Sequence, residues 1–383
     1  MASASITVVL VLLLTVSQAA ATQTLLTGTS AGMRYRVEKV AGSLDAPWGM
    51  VFVGQNQLMV TEKRGRISIL DPETGAIRPI RDTVSVQNRG QGGLLDIAVP
   101  PDYQPGGWVY FTLSKSLGNT ATTALARGRF EVDRIAEWQE LLVTRAASTA
   151  DEHFGSRIAF DGHGHLFMSI GDRGDRTNGQ KLDTHAGKIL RLRLDGTVPA
   201  DNPFVQGDGL AEIWSYGHRN PQGLVYDAAR QRLWEAEHGQ RGGDEINLIE
   251  RGANYGWPVV SHSMEYWGPF AVGEATHKDG MVDPIKVFTP AIAPGSLLLY
   301  NGTAFALWRG NLFIPSLVRR HLNRIVLDES GAPIEEERLL QDFNERMRDV
   351  VESPEGWLYV CTDSGNIYRI RPLVADTGTS GHR

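Results

Sequence analysis

Short apolar stretches recur along the chain at intervals of about 60 residues, and each is followed by a polar turn and a second stretch of alternating apolar and charged positions. The first stretches of these pairs lie at residues 57–60, 108–111, 166–170, 232–235, 311–314 and 357–360. Alternation with a period of two is typical of β-strands that have one buried face. Repeated strand pairs favour antiparallel sheets arranged radially about one axis. We therefore predict an all-β fold, a six-bladed β-propeller of four-stranded antiparallel sheets.

The alternative to a propeller is a pair of β-sandwiches, which would need a linker between them. No Pro/Ser-rich or low-complexity stretch divides the sequence after residue 21. We therefore predict one propeller over residues 22–372. Small polar residues follow Pro372, so we predict a disordered tail over residues 373–383.

The first residues have the pattern of a signal peptide. An apolar run at residues 6–16 is too short to span a bilayer, and the small residues at 17–21 suit cleavage by a signal peptidase. Although no Lys or Arg precedes the run, we predict that residues 1–21 are a signal peptide and that the protein is periplasmic or secreted. The single cysteine, Cys361, cannot form an internal disulfide.

The composition excludes several classes of function. The 383 residues include 38 Lys and Arg against 44 Asp and Glu, a formal net charge of -6, and there is no long basic run. This balance argues against nucleic acid or an anionic membrane as a partner. A Gly-rich phosphate cradle at a strand-to-helix junction is missing, which argues against a nucleotide cofactor. A Gly-x-Ser-x-Gly nucleophile motif is missing too.

The segment 216–223 reads Tyr-Gly-His-Arg-Asn-Pro-Gln-Gly and combines a cation, an amide and an imidazole in a tight turn. Arg219 cannot lose its proton and offers a planar fork of donors, which suits a delocalised anion or a quinone oxygen. The alternative is a surface turn in which Arg219 caps a carbonyl group. The octet alone leaves both interpretations open.

Two loop residues have the chemistry of a general base and its support. His153 precedes a predicted strand, and an unperturbed histidine is largely neutral near pH 7. Asp172 follows the next predicted strand and could orient the imidazole of His153. The alternative is a histidine that only makes hydrogen bonds at the surface, which is our interpretation of His163 and His165 in a hairpin turn.

Two further segments are candidates for binding ions. Residues 237–245 form a flexible loop with carboxylates and exposed carbonyls, which suit Ca²⁺, although a solvated acidic turn is the alternative. Arg346 and Arg348 would project to one face of an extended chain, where they repel each other unless an anion or carboxylates lie between them. Their alternative partners are Glu345, Asp349 or a neighbouring blade.

The motifs of this chain resemble those of the soluble PQQ-dependent aldose and glucose dehydrogenases, which are six-bladed propellers that bind pyrroloquinoline quinone (PQQ) at the mouth. The matching segments occur in the family's order, at residues 44–49, 90–95, 153–157, 170–172, 187–192, 216–223, 243–249, 254–258 and 346–350. The combination of Gly-His-Arg-Asn-Pro-Gln-Gly, Asp-Glu-Ile-Asn-Leu and Asn-Tyr-Gly-Trp-Pro is highly specific.

The resemblance implies that an aldose is oxidised at its anomeric carbon to a lactone while hydride passes to PQQ. It implies that His153 is the base for the anomeric hydroxyl, that Asp172 supports this base and that Arg219 polarises the reacting quinone carbonyl. Other residues would contact the cofactor, the two arginines through its carboxylates: Gln91, Asn220, Arg346 and Arg348.

The resemblance also implies two calcium sites. The carbonyls of Gly239 and Gln240 would hold the Ca²⁺ that accompanies the cofactor. Glu245 and Tyr255 would belong to a second, structural calcium site.

The chain departs from the glucose-type members of that family at four positions. Val318 stands in place of a lysine, for which Arg319 could compensate, and Gln240 replaces a common proline. Thr289 stands in place of an aromatic residue over the sugar, and Glu152 replaces an aspartate. We therefore expect a wider substrate pocket that accepts several aldoses.

The sequence thus favours an exported sugar dehydrogenase that depends on PQQ and Ca²⁺, acts on a small aldose and passes its electrons to a cytochrome or a quinone. The alternatives are a calcium-dependent propeller lactonase and a propeller that only binds partners. The natural sugar, the electron acceptor and a homodimer are left open.

Overall fold

Strands account for nearly all the regular structure of this chain. A computed structural model describes residues 23–81 and 83–373. Within these ranges every strand belongs to one of six antiparallel sheets, and the helices are short 3-10 turns at Arg176–Gln180, Ala306–Trp308 and Gln341–Phe343. The predicted six-bladed β-propeller is confirmed, with one sheet of five strands and five sheets of four.

The blades follow one another along the chain, after two strands that lead into the ring. These two strands are β1 (Thr24–Ser30) and β2 (Met33–Ala41). Blade 1 consists of β3 (Pro47–Gly54), β4 (Gln57–Glu62), β5 (Arg66–Leu70) and β6 (Ile77–Pro79). Blade 2 consists of β7 (Leu94–Ala98), β8 (Trp108–Leu117), β9 (Thr120–Glu131) and β10 (Arg134–Val143). Blade 3 consists of β11 (Ile158–Phe160), β12 (His165–Ile170), β13 (Lys188–Arg193) and β14 (Ile213–Tyr216). Blade 4 consists of β15 (Pro221–Asp227), β16 (Arg232–Glu237), β17 (Asp244–Ile249) and β18 (Lys286–Phe288). Blade 5 consists of β19 (Leu298–Leu299), β20 (Leu312–Pro315), β21 (Leu322–Leu327) and β22 (Pro333–Leu339). Blade 6 contains β23 (Met347–Glu352), β24 (Leu358–Thr362) and β25 (Ile367–Pro372).

The ring is closed by strand pairing between the two ends of the fold. β2 pairs with β25, so the last sheet has the order β1-β2-β25-β24-β23 and takes its outer strands from the N-terminal side. The first strand of each blade packs beside the first strands of the two neighbouring blades, and β23 meets β3 to complete the circle. Edge strands therefore face outward, and the inner edges meet at a central axis.

The repeated strand pairs seen in the sequence are the second and third strands of the blades. The prediction that they have one buried face is wrong for the second strands. β12 and β24, for example, are buried along almost their whole length. Each blade lies between two others, so both of its faces are covered by apolar side chains. Between blades 1 and 2, Ile67, Leu94 and Phe111 belong to one such cluster.

A buried arginine at the axis, together with the carboxylate of Asp349, connects all six blades. Arg157, which precedes β11, donates to the side chain of Asp96 at 2.6 Å and to the carbonyls of Gln222 at 2.9 Å and Gly295 at 2.7 Å. Its Nη1 also lies 3.3 Å from Asp349, whose other carboxylate oxygen accepts the Met50 amide at 2.8 Å. Burial raises the pKa of Asp349 to about 6, although the charge of Arg157 opposes the shift. The inner strands are thus joined by one ionic hub, which we call the axial hub.

The predicted signal peptide at residues 1–21 lies outside the described residues, as does the predicted tail beyond residue 373. Among the residues that are described, no helix combines the length and the apolar character needed to cross a bilayer.

Candidate functional site

Two adjoining cavities open at one end of the propeller axis. The larger has a volume of about 740 Å³ and the smaller about 370 Å³, and both are lined by Gln91, His238 and Ala293. Most of their walls come from two sets of loops, those before the first strand of a blade and those between its second and third strands, and the long connection between β17 and β18 adds Trp257 and Tyr266. In an antiparallel blade these loops emerge at the same edge, so residues far apart in sequence converge there.

His153 and Asp172 form a hydrogen-bonded pair in the wall of the larger cavity. Nδ1 of His153 donates to Oδ1 of Asp172 at 2.7 Å, which leaves Nε2 as the nitrogen available to a substrate. Oδ2 of Asp172 accepts the indole N–H of Trp257 at 2.9 Å. Burial alone would raise the pKa of Asp172, but the hydrogen bond and charge of His153 and the charge of Arg219 bring it below its ordinary value. Asp172 is therefore an ionised support that fixes the tautomer and orientation of the imidazole.

The backbone of His153 has an unusual conformation, with φ at 54°. Its amide donates to Oε1 of Gln91 at 2.9 Å, so one of the predicted cofactor residues holds the loop that carries the base. Asn220 lies below this loop and lines neither cavity: its Oδ1 accepts the amide of Gly155 at 3.2 Å. The structure therefore places Gln91 at the cavities and Asn220 in the layer that supports them.

Arg219 brings a buried cation to the larger cavity. Nη1 donates to the carbonyl of His238 at 3.1 Å, and the guanidinium lies 5.4 Å from the ring centroid of Trp257. Nε has no hydrogen-bond partner among the described residues. The backbone amide of Arg219 donates to Oε2 of Glu237 at 2.6 Å, which fixes the start of the octet turn. Arg219 thus caps a carbonyl, as in the surface-turn alternative, but it is buried in the cavity wall and does not lie at the surface.

Three cations and one carboxylate line the smaller cavity. Arg346 and Arg348 lie on the same side of the chain, and their Nε atoms donate to Asp363 at 2.8 and 2.9 Å. Nζ of Lys63 donates to the carbonyl of Gly90 in the same wall. Burial, followed by the charge of Arg348, lowers the pKa of Lys63. With one negative charge against three positive ones, this cationic pocket is suited to a polyanion.

The partner of the two arginines differs from the alternatives that the sequence offered. Glu345 accepts hydrogen bonds from Thr362 and Asn366, and Asp349 belongs to the axial hub. The carboxylate between the arginines is Asp363, from the turn between β24 and β25.

The loop between β16 and β17 brings Gly239 and Gln240 to the larger cavity, beside Arg219. The amide of Gly239 donates to Asp244 at 2.7 Å, and that of Gln240 donates to Ser263 at 3.0 Å. A side chain at Gly239 would collide with the carbonyls of Gly242 and Gly243, so the tight turn requires glycine. Both amides are thus bound by oxygen atoms of the protein, and main-chain carbonyl oxygens are ligands that suit Ca²⁺.

Buried carboxylates cluster behind this loop. Glu235 and Glu237 are buried on β16, and Glu245 is half-buried on β17. Ligand atoms of His218, Glu235 and Glu237 lie within 4.8 Å of one another. Burial, and then the charge of Glu237, raise the pKa of both Glu235 and Glu245. Oε1 of Glu235 has no hydrogen-bond partner among the described residues. We call this group the acidic cluster, and its chemistry is that of a site for a hard cation.

Tyr255 lies next to the acidic cluster but does not direct its hydroxyl into it. That hydroxyl donates to the carbonyl of Leu248 and accepts the amide of Glu250 at 2.9 Å, while its ring stacks on His218 at 4.8 Å. Tyr255 and Glu245 line a common small cavity. Only the main-chain carbonyl of Tyr255 is therefore available as an oxygen ligand.

Comparison with known proteins identifies the family. The sequence model described as Glucose / Sorbosone dehydrogenase matches residues 44–369. This chain belongs to the Glucose / Sorbosone dehydrogenase family.

Relatives of this chain in the Glucose / Sorbosone dehydrogenase family match it over most of their length. The Synechocystis protein named "Uncharacterized protein slr1608" is 42% identical over 85% of this chain and 84% of its own. The protein named aldose sugar dehydrogenase YliI, from Escherichia coli, is 36% identical over 88% of this chain and 92% of its own. The structure of a PQQ-bound aldose sugar dehydrogenase from Streptomyces coelicolor aligns with a TM-score of 0.74 and 26% identity, covering 88% of this chain and 98% of that chain.

The four positions at which the sequence departs from glucose-type family members all line the larger cavity: Glu152, Gln240, Thr289 and Val318. Arg319 lines it as well, next to Val318. The departures are therefore concentrated where a substrate would bind, and they leave the hydrogen-bonded pair of His153 and Asp172 unchanged.

Sequence reasoning missed several residues of the site in this family member. Lys63, Asp363 and His238 follow the second strands of blades 1, 6 and 4, in the loop between the second and third strands that in blade 3 carries Asp172. Burial lowers the pKa of His238 to about 3, so it is neutral, and its Nε2 donates to the carbonyl of Pro294 at 2.7 Å. A search of this one loop position in every blade would have found all three residues.

Proposed function

We propose that this chain oxidises the anomeric carbon of aldose sugars to lactones, with PQQ as its cofactor and Ca²⁺ as the counter-ion of that cofactor. The observation that carries the proposal is the hydrogen-bonded pair of His153 and Asp172, which faces the same cavity as Arg219 and adjoins the cationic pocket. A base, His153, and a cation, Arg219, thus line the larger cavity, and the cationic pocket that suits a polyanion adjoins it. The names of the family and of the aldose sugar dehydrogenases that match the chain support this reading.

The residues of the two cavities fit PQQ, which is a planar tricarboxylate. Arg346, Arg348 and Lys63 would hold its carboxylates, and the unpartnered Nε of Arg219 offers a donor in the larger cavity. The carbonyls of Gly239 and Gln240 would hold Ca²⁺ against the cofactor. When bound, PQQ supplies a quinone that takes up the hydride of the sugar.

The residues of the chain perform the remaining chemistry. Nε2 of His153 accepts the proton of the anomeric hydroxyl as the C1–H bond breaks, so the sugar loses a hydride and a proton and gains the C=O bond of the lactone. Asp172 stabilises the imidazolium that forms, and Trp257 holds Asp172 in place. Arg219 stabilises negative charge that develops on the hydride acceptor.

Calcium at the acidic cluster is a second part of the proposal. Glu245 and the carbonyl of Tyr255 would bind this structural Ca²⁺, and two more carboxylates lie beside them: Glu237, from the segment that the sequence suggested for Ca²⁺, and Glu235, which the sequence did not suggest. The donor set of buried oxygen ligands fits the preference of Ca²⁺. This cluster lies behind Arg219, so it offers no carboxylate cage to a substrate, which argues against the lactonase alternative.

We also propose that the enzyme is exported and passes its electrons to a cytochrome or a quinone outside the cytoplasm. The support is the apolar run at residues 6–16 with its small-residue segment. Sequencing the N-terminus of the secreted or periplasmic protein tests the cleavage expected after residue 21.

Reconstitution tests the proposed reaction. Purified apo-protein is mixed with PQQ and Ca²⁺, and reduction of a dye is followed with a panel of aldoses and of sugar lactones. We expect aldose-dependent dye reduction only when PQQ and Ca²⁺ are both present. Lactone hydrolysis without PQQ, or no aldose oxidation by PQQ-saturated protein, would contradict the proposal.

A further inference from the structure

Three exposed aromatic side chains that the proposed reaction does not use lie in the segment that borders the larger cavity, and the first of them, Tyr266, lines that cavity. Tyr266, Trp267 and Phe270 lie in the connection between β17 and β18 and are 65%, 74% and 53% exposed. We call them the aromatic rim. Large exposed aromatic groups that cluster beside a cavity are typical of binding surfaces, because burying them on a ligand removes apolar area from water.

The aromatic rim belongs to the mouth of the site. Tyr266 lines the same cavity as His153 and Arg219. The rings of Trp267 and Phe270 have centroids 4.8 Å apart, so they present one continuous surface. A ligand that reaches His153 through this mouth passes close to Tyr266, and its outer part lies near the other two rings.

The segment that carries these rings is anchored at both sides. Glu265 pairs with Arg176 at 2.8 Å, and its amide donates to the carbonyl of Phe270 at 2.8 Å. Arg241, which also lines the cavity, donates to the carbonyl of Gly268 at 2.8 Å. The rings are therefore held at the mouth before a ligand arrives, which lowers the entropy cost of binding.

We propose that the aromatic rim is a second sugar subsite, which binds the ring next to the reducing-end aldose of an oligosaccharide. This inference rests on the proposed function, because the reducing end must lie at His153 for its anomeric carbon to react. The rest of an oligosaccharide can then extend only outward. Aromatic faces suit the apolar C–H faces of a pyranose, and Arg241 and Glu152 at the mouth offer partners for its hydroxyl groups.

Oligosaccharide kinetics and a binding measurement test the subsite. We compare kcat/KM for glucose and maltotriose, and we titrate methyl maltoside, whose blocked anomeric carbon cannot be oxidised, by calorimetry. Trp267→Ala should lower kcat/KM for maltotriose about 3- to 10-fold and weaken methyl maltoside binding similarly, with glucose unchanged. Trp267→Phe should restore most of the loss, because it keeps an aromatic face.

A matched control is Trp138→Ala, which also removes a partly exposed tryptophan. Trp138 lies on β10 of blade 2, whereas Trp267 lies in blade 4. It should leave both sugars unaffected. Equal effects of Trp267→Ala on glucose and maltotriose, or no effect on either maltotriose or methyl maltoside, would overturn the subsite. Methyl maltoside binding that depends on Trp267, in a protein that oxidises no aldose, would support the subsite while contradicting the proposed reaction.

Discussion

His153 is held by its neighbours in a backbone conformation that most residues avoid. Its φ of 54° lies in the left-handed region, which costs a non-glycine residue roughly 1–2 kcal/mol. The hydrogen bonds to Gln91 and Asp172 offset that cost and fix the imidazole in one orientation. Backbone strain that persists at a cavity wall is often part of how a site is pre-organised.

Replacement of the proposed base tests the mechanism most directly. His153→Gln keeps a polar side chain of similar size but cannot take a proton at the anomeric hydroxyl. We expect kcat to fall by about 10²–10⁴-fold while PQQ binding persists, and Asp172→Asn to cost less. Stopped-flow reduction of the bound cofactor by glucose measures this loss. His163→Gln, in an exposed turn, is the control, and near wild-type turnover by His153→Gln would refute the assignment.

Lys63 brings a cation to the smaller cavity, whereas Val318, which stands in place of a lysine, lines the larger one. Lys63→Met should weaken PQQ binding about tenfold or more, because a charge-assisted contact to a carboxylate is lost. Fluorescence titration of apo-protein with PQQ measures the affinity. Arg64→Met is a matched control, because it removes a positive charge at the neighbouring position. The side chain of Arg64 is 73% exposed and pairs with Asp45. Equal affinities in wild type and Lys63→Met would exclude Lys63 from the cofactor site.

At the scale of elements, β16 and β17 carry the acidic cluster, and their stability should depend on a cation. We expect Ca²⁺ to raise the melting temperature of PQQ-free protein, with a stabilisation of about 2.7 kcal/mol at a concentration 100 times Kd. Calorimetry in EGTA and in excess Ca²⁺ measures this difference. Glu245→Gln should reduce it, whereas Glu250→Gln, an exposed carboxylate at the next turn, should not. Identical melting curves in EGTA and Ca²⁺ would contradict the structural calcium site.

Sequence patterns could predict some strands of each blade but not others. The second and third strands of each blade are apolar enough to be recognised, whereas β11 spans only Ile158–Phe160 and β19 only Leu298–Leu299. Strands this short carry too few positions for a period to be measured.

The sequence predicted some contacts of the candidate site but not those that depend on tertiary structure. His153 and Asp172 lie 2.7 Å apart as expected, because both loops emerge at one edge of blade 3. The pairing of Arg348 with Asp363 depends on a tertiary turn that no local pattern reports. Glu235 and Glu237 alternate along a strand that reads as half-exposed in the sequence, and only packing between blades buries them.

For the whole molecule, the axial hub predicts a pH dependence of folding. The pKa of Asp349 is about 6 in the folded protein against an ordinary value of 3.8, so the folded state holds this proton more tightly. Its contribution to the free energy of unfolding is therefore largest below about pH 4 and is lost as the pH rises to about 6, by about 3 kcal/mol in all. Asp349→Asn should remove this slope from urea unfolding curves measured between pH 4 and 6.

Asp363→Asn is a control, because Asp363 should make the free energy of unfolding change with pH in the opposite direction to Asp349. Burial would raise the pKa of Asp363, but the arginines lower it, so its stabilising contribution is lost as the pH falls through its folded pKa. Equal slopes in wild type and Asp349→Asn between pH 4 and 6 would show that the hub carboxylate does not titrate there.

The position of the cationic pocket has a consequence for the order of assembly. Lys63 comes from blade 1 and its partners from blade 6, so the pocket lies on the seam where the two ends of the chain meet. That seam can form only after β25 has been synthesised and has paired with β2. The segments that carry His153 and Asp172 are therefore synthesised before the cationic pocket can be completed. A polyanion bound by Lys63, Arg346 and Arg348 would link the first blade to the last, so separation of these two blades would release it.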